Sequence, residues 1–319
     1  MSNDQALRLW VHAEQAAKSI NYSMGASDLL IASSDLTEAI PKSLRRRLRR
    51  FQLHGTVDNV LLLRNLLADE AVIAPTPIDP DEATSLFTTC ATRLILLSVA
   101  SLLGAPYGSA TSWSGRFTHD VLPVRGSEHS QTSLSSTTPL DFHVEHAYLG
   151  PDRCGYLALL CLRGDEATTK VAPARAMRLS PAARAVLVQE RFLVFEDLPA
   201  DLRDLKDPIP MAVLSGPDDD PRITLDPLYM DVRDPDDFDA RAALNEAIEE
   251  VPQVARGCTL RRGDLLLIDN LRTLHGRTPF TPRYDGTDRW LHRVLVGVSR
   301  QQTWARDAQW PVIRPRPTH

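Results

Sequence analysis

Apolar positions change their period about a third of the way along the chain. In residues 6–20 and 43–50 they recur at helical spacing. Leu44 and Leu48 place one apolar stripe on a helix whose other faces carry a run of solvated arginines, Arg45 to Arg47 with Arg49 and Arg50. The stretch 81–103 reads as one long helix that stops at Gly104-Ala105-Pro106. Its apolar run, Leu94 to Leu103, is too short to span a bilayer and follows Arg93, so it predicts a buried helix. From about Gly115 onward, short apolar runs at 117–124, 157–162 and 264–268 are bounded by Gly, Pro, Asp or Ser, as the strands of a β core would be. Two helices interrupt that core. One follows the cap Ser180-Pro181 and covers 182–191; the other spans about 237–250.

The pattern predicts one domain of 319 residues, with a mostly helical part (1–105) bracing a strand-rich core (115–300). Pro- and Asp-rich stretches at 74–80, 216–221 and 234–237 read as loops within it rather than boundaries. A hydrophobic fraction of 43% supports a sizeable core, and a net charge of -5 offers no broad basic surface, so neither nucleic acid nor membrane is expected as a partner. Cys90, Cys154, Cys161 and Cys258 form no CxxC pair, and no secretory leader is read ahead of them. The expectation is a cytoplasmic chain with reduced thiols and no structural zinc.

Candidate chemistry starts at His143-Val144-Glu145. If 139–148 is a strand, residues two apart share a face, so His143 and Glu145 aim at a common point while His146 points away. An HxE of this kind can arise by chance, and a third ligand must come from elsewhere. His12 and His54 lie in the helical part and His319 at the end, whereas His275 follows the apolar run 264–268 and a short turn at 270–272. Two histidines and one carboxylate leave three positions open on a metal, the arrangement of non-heme iron(II) sites that take a co-substrate and dioxygen. In the strand 288–296, alternation places Arg289, Leu291 and Arg293 on one face and Trp290 and His292 on the other. Two inward arginines would each need a carboxylate, either from two acidic ligands or from structural partners such as Asp285 or Asp288.

Six runs, in order, resemble the clavaminate synthase-like iron(II)/2-oxoglutarate oxygenases, and most of all the arginine and asparagine hydroxylases of antibiotic biosynthesis. They are 119–126, 142–147, 155–163, 167–169, 264–270 and 275–290. The resemblance implies a double-stranded β-helix, that is, a mainly β jelly roll of cupin type with flanking helices. It implies Fe(II) bound by His143, Glu145 and His275, and 2-oxoglutarate held by Arg289 with help from Thr169. It further implies an amino-acid substrate, its carboxylate on Arg293 and its side chain met by Asp226, with a lid over the site within 197–210. The expected reaction consumes dioxygen and 2-oxoglutarate, releases succinate and carbon dioxide, and hydroxylates C3 or C4 of a free polar or basic amino acid. Desaturation, cyclisation, a carrier-bound or peptidyl substrate, and a non-catalytic cupin-like binding protein are the alternatives. Because Glu145 fills the carboxylate position, halogenation is disfavoured. Three departures stand out: His146 follows the glutamate where relatives usually have aspartate, the loop 148–153 is one residue longer than theirs, and no glutamine lies near 112–114 for the substrate's backbone end.

Overall fold

The computed structural model of the chain describes residues 1–20, 26–69, 71–85, 89–109, 113–164, 166–196, 208–298 and 312–313. In chain order the helices are α1 (Asn3–Ser19), α2 (Ala26–Leu36), α3 (Lys42–His54), α4 (Pro80–Ser85), α5 (Cys90–Ser101), α6 (Pro181–Leu187) and α7 (Phe238–Val254). The strands are β1 (Val60–Leu63), β2 (Ala105–Ser109), β3 (Thr118–Val121), β4 (Leu140–His143), β5 (Tyr156–Arg163), β6 (Thr168–Pro173), β7 (Phe192–Val194) and β8 (Ile209–Met211). They continue with β9 (Leu214–Ser215), β10 (Arg222–Ile223), β11 (Met230–Val232), β12 (Arg256–Thr259), β13 (Leu265–Asp269), β14 (Thr273–Arg277), β15 (Trp290–Gly297) and β16 (Val312–Ile313).

Local chemistry explains most of these boundaries. Ser2 and Gln5 form a reciprocal capping box at the start of α1. The Ser180 hydroxyl accepts from Ala183 N–H ahead of Pro181, which opens α6. On α3, Leu44, Leu48 and Phe51 are buried and Arg46, Arg47, Arg49 and Arg50 are exposed, as the spacing predicts. The expected helix over 81–103 is instead two, α4 and α5, and α6 ends at Leu187 rather than 191. The helical N-terminal part also contributes a strand, because β1 supplies four residues to pair with β13.

Two antiparallel sheets face one another. The larger runs β1-β13-β5-β15-β2-β16, with β3 also on β15; the smaller runs β12-β6-β14-β4. Within the larger sheet only the β16–β2 pairing is parallel. Both faces of its central strands are covered, so β5 is an unbroken apolar run from Tyr156 to Leu162, yet the two faces have different neighbours. Ala158, Leu160, Leu265, Leu267, Trp290 and Val294 pack toward α1–α5. Leu157, Leu159, Cys161, Leu266, Ile268, Leu291 and Leu295 pack inward with Val171 of the smaller sheet. That second sheet is backed by a separate cluster, in which Ala172, Ala174 and Leu274 meet Ala183 and Leu187 of α6 and Ala243, Leu244 and Ala247 of α7. The architecture is mixed α/β: helices, sheet, sheet, helices. The site opens at one end of the space between the sheets. The four cysteines are unpaired, and no described helix is long and apolar enough to cross a membrane.

Candidate active site

β4 and β14 are paired so that His143 and His275 stand directly opposite one another, with ring centroids 4.4 Å apart. The approach is close because Gly276 lacks a side chain: a Cβ there would lie 2.6 Å from the Leu140 carbonyl oxygen. Glu145 arrives from a different kind of element than expected. β4 ends at His143, Glu145 lies in a turn, and His146 has a φ of 55°, so strand alternation does not govern either residue. His146 accordingly does not point away. It lines the same cavity beside Tyr107, whose hydroxyl is 3.4 Å from its Nδ1, while remaining outside the ligand cluster.

The turn is set by Asn270, which is fully buried at the end of β13. Its Oδ1 accepts from Glu145 N–H at 2.8 Å, and its Nδ2 donates to the carbonyls of Glu145 and Cys154, each at 3.1 Å. One side chain thus satisfies both main-chain polar groups of the residue it orients. Glu145 in turn places Oε1 3.4 Å from His275 Nε2 and 2.9 Å from Arg293 Nη1.

Among the described residues, His143, Glu145 and His275 gather their ligand atoms within 4.8 Å of one another. Their protonation states suit a metal. Burial alone would raise the Glu145 carboxyl, but Arg293 and then His275 hold it well below the usual carboxylate range. Burial, then the neighbouring His143, lowers His275 to about 4, so it presents a neutral imidazole. The Nδ1–H of His143 donates to the Asp141 carbonyl at 2.8 Å, which leaves Nε2 with a lone pair. Nδ1 of His275 is buried without a hydrogen-bond partner. A charged carboxylate, the neutral imidazole of His275, the imidazole of His143 and a cavity on their open side fit iron(II).

That cavity has a volume of about 470 Å³ and brings together every residue singled out from the sequence: His143, Glu145, Thr169, Asp226, His275, Arg289 and Arg293. Leu157, Leu159 and Leu291 form apolar wall between the polar groups. Arg289 is 7% exposed; its main-chain N–H donates to Glu166 at 2.9 Å, while its guanidinium makes no hydrogen bond or ion pair among the described residues. Burial lowers it to about 10, which leaves it charged at neutral pH. Neither aspartate considered as a structural partner reaches the arginines. Asp288 accepts from the main chain of Arg283 and Tyr284, and Asp285 from Thr287. Thr169 lines the cavity, whereas the Thr168 hydroxyl pairs outside it with Thr259 at 2.9 Å. His292 faces the helices, 2.8 Å from Thr92 Oγ1 and 3.0 Å from Asp120 Oδ1. Most of the expected lid, residues 197–207, lies outside the described residues.

Sequence reasoning passed over several residues that build this site. Arg277, two positions after His275, lines the cavity and ties the serine- and threonine-rich segment on its wall, through Ser135 Oγ at 2.8 Å and the Thr138 carbonyl at 3.1 Å. Arg153 is 3% exposed and bonds the Ile223 carbonyl and Thr224 Oγ1, fixing the segment that carries Asp226. His119, also buried, contacts Arg293. Alternation along 117–124 offered a signal for His119, because it shares a strand face with the cavity residue Val121; nothing local marks Asn270 or Arg153.

The likeness to known proteins agrees with this geometry. The family described as taurine catabolism dioxygenase TauD, TfdA family matches residues 211–295. Enduracididine beta-hydroxylase of Streptomyces hygroscopicus is 34% identical over 302 residues, covering 85% of each chain. Clavaminate synthase 2 of Streptomyces clavuligerus is 35% identical over 288 residues, covering 83% of this chain and 82% of that one. The non-heme iron oxygenase OrfP, solved with Fe and alpha-ketoglutaric acid, superposes with a TM-score of 0.82 at 32% identity over 94% of this chain and 93% of its own. OrfP with Fe, succinate and (3S)-hydroxy-L-Arg gives 0.85 at 29% identity, over 98% and 97%. Likeness of this extent, on a fold that gathers two histidines, a glutamate and two arginines around one cavity, places the chain among the clavaminate synthase-like oxygenases, the non-heme iron(II)/2-oxoglutarate-dependent enzymes of the TauD, TfdA family.

Proposed function

We propose that the chain hydroxylates an unactivated carbon, C3 ahead of C4, of a free L-amino acid with a polar or basic side chain, in specialised-metabolite biosynthesis. The observation that carries this reading is the sharing of one cavity by the ligand cluster, two inward arginines and an aspartate. The position of attack is supported by relatives described as a beta-hydroxylase and as bound to (3S)-hydroxy-L-Arg. The two facing antiparallel sheets support a double-stranded β-helix as the core. Pairing of β1 and β2 with β13 and β15 supports one oxygenase domain that includes the N-terminal part.

His143, Glu145 and His275 would hold iron(II), which when bound couples the oxidative decarboxylation of 2-oxoglutarate by dioxygen to oxidation of a C–H bond. Arg289 offers its planar fork to the distal carboxylate of 2-oxoglutarate, with Thr169 lining the same cavity. Arg293 takes the substrate's carboxylate while keeping Glu145 ionised. Asp226, which also lines the cavity and is fixed through the Arg153-bound segment, meets a cationic side chain. The apolar wall of Leu157, Leu159 and Leu291 limits water around the reacting carbon.

The test is anaerobic reconstitution with iron(II), exposure to oxygen with 2-oxoglutarate and a panel of free amino acids, and measurement of succinate and product mass. A gain of one oxygen on a basic or polar amino acid is expected; loss of two hydrogens marks desaturation instead. Substrate-dependent succinate from none of them overturns the free-amino-acid reading in favour of a tethered substrate. As controls, His143→Ala and Glu145→Ala abolish turnover with an unchanged circular dichroism spectrum.

A further inference from the structure

Trp113 carries a φ of 54°, a left-handed backbone that a bulky residue adopts only under constraint. Its ring lies nearly parallel to that of His119, 10° between planes and 4.8 Å between centroids, and faces the guanidinium carbon of Arg293 at 5.4 Å. The turn 113–115 can lie against β2 because Gly108 has no side chain; a Cβ there would stand 2.3 Å from the Gly115 carbonyl oxygen.

The ring beneath Trp113 has one consistent tautomer. Nε2 of His119 is 2.8 Å from the Arg116 carbonyl oxygen; a carbonyl only accepts, so Nε2 bears the proton and Nδ1 the lone pair. That lone pair faces Nε–H of Arg293 at 3.2 Å and Nη2–H at 3.0 Å. Nη1 donates to Glu145 Oε1 at 2.9 Å. Arginine has five N–H groups. Three are engaged here, and one remains on each terminal nitrogen; with Glu145 on the Nη1–H of the Cδ side, those two are the adjacent pair that a carboxylate accepts in two parallel bonds.

We infer that His119, stacked against Trp113, is a positioning residue that fixes the plane of Arg293 and leaves its terminal fork directed at the substrate's carboxylate. The inference rests on the assignment of that carboxylate to Arg293 proposed above. An arginine held by Glu145 alone could pivot about one bond; held at all three nitrogens it is organised before the ligand arrives. The choice of a neutral ring matters as well. A second carboxylate at this position would spend the charge that the substrate is to meet, whereas an imidazole lone pair orients the guanidinium and leaves the charge in place.

The test has two arms. In ¹⁵N-labelled protein at neutral pH, without any amino acid added, His119 is expected as the Nε2–H tautomer, with the Arg293 Nε–H proton protected from exchange and that protection lost in His119→Leu. In steady-state kinetics with the best amino acid of the panel, His119→Leu raises its KM more than tenfold while the KM for 2-oxoglutarate stays within twofold. His119→Asn, whose amide oxygen can stand where Nδ1 stood, recovers most of that loss. An Nδ1–H or charged His119, or a freely exchanging Arg293 Nε–H in the native protein, overturns the inference. So does a His119→Leu variant in which both KM values, kcat and Tm shift together, as lost packing would produce. Should no panel member turn over, the functional reading has failed, and the labelled protein still decides the role of His119.

Discussion

Replacing Asn270 with alanine should loosen a metal ligand 125 residues away in sequence. The side chain is fully buried and supports three main-chain groups: Glu145 N–H at 2.8 Å, and the carbonyls of Glu145 and Cys154 at 3.1 Å. Each such bond contributes about 1 kcal/mol net, and each buried group left without a partner costs roughly 1–3 kcal/mol. Because the turn can relax and admit water to some of these groups, the expected loss is about 3–5 kcal/mol, a large share of the ~5–15 kcal/mol that stabilises a domain. The damage should concentrate at the turn, so affinity for iron(II) should fall about 10- to 100-fold, as when other groups that orient metal ligands are removed. Urea unfolding monitored by fluorescence gives the first quantity, and anaerobic titration with iron(II), or with cobalt(II) followed by absorbance, gives the second. Asn270→Asp sharpens the test. Its carboxylate can still accept from Glu145 N–H, but it faces two carbonyl oxygens with no donor, so it should do no better than alanine. The reasoning would be refuted by an alanine variant within about 1 kcal/mol of native stability that binds metal with native affinity.

Three further outcomes follow from the same geometry. Arg289→Lys keeps the charge but loses the planar fork, so the KM for 2-oxoglutarate should rise at least tenfold with little change in that for the amino acid; equal rises would assign Arg289 a structural role. Asp226→Ala should weaken binding of basic amino acids well beyond that of neutral ones, measured by competition within the panel, and a uniform loss would argue against recognition of a cation. Gly276→Ala brings a methyl to 2.6 Å from the Leu140 carbonyl oxygen, so β4 must move away from β14. A cost of about 1–3 kcal/mol together with weaker iron(II) binding is expected, and an unchanged Tm with native metal affinity would show that the strands tolerate the shift.

Periodicity carried the reading where side-chain direction is a local property. Along 289–293, at the start of β15, alternation alone separated Arg289, Leu291 and Arg293 from Trp290 and His292, and the structure places the first three on the cavity and the last two toward the helices. It failed where the strand stopped. Beyond His143 the backbone turns, so the assumption that set aside His146 was wrong in mechanism, although His146 is outside the ligand cluster. β1 was hidden because its four residues lie among helical patterns and become a strand only by pairing with β13.

The sequence by itself determined the ligand types, the arginine pair and the kinship of the chain, because residue identity and alternation within one strand need no knowledge of what lies across the sheet. Tertiary structure decided how those residues meet. The register that sets His143 against His275, the turn held by Asn270 from the end of β13, and the His119 ring that orients Arg293 from 174 positions away all join segments distant in the chain. Such contacts arise only when strands pair and sheets stack. Their hydrogen bonds are set by that packing, and no local pattern of residues encodes it.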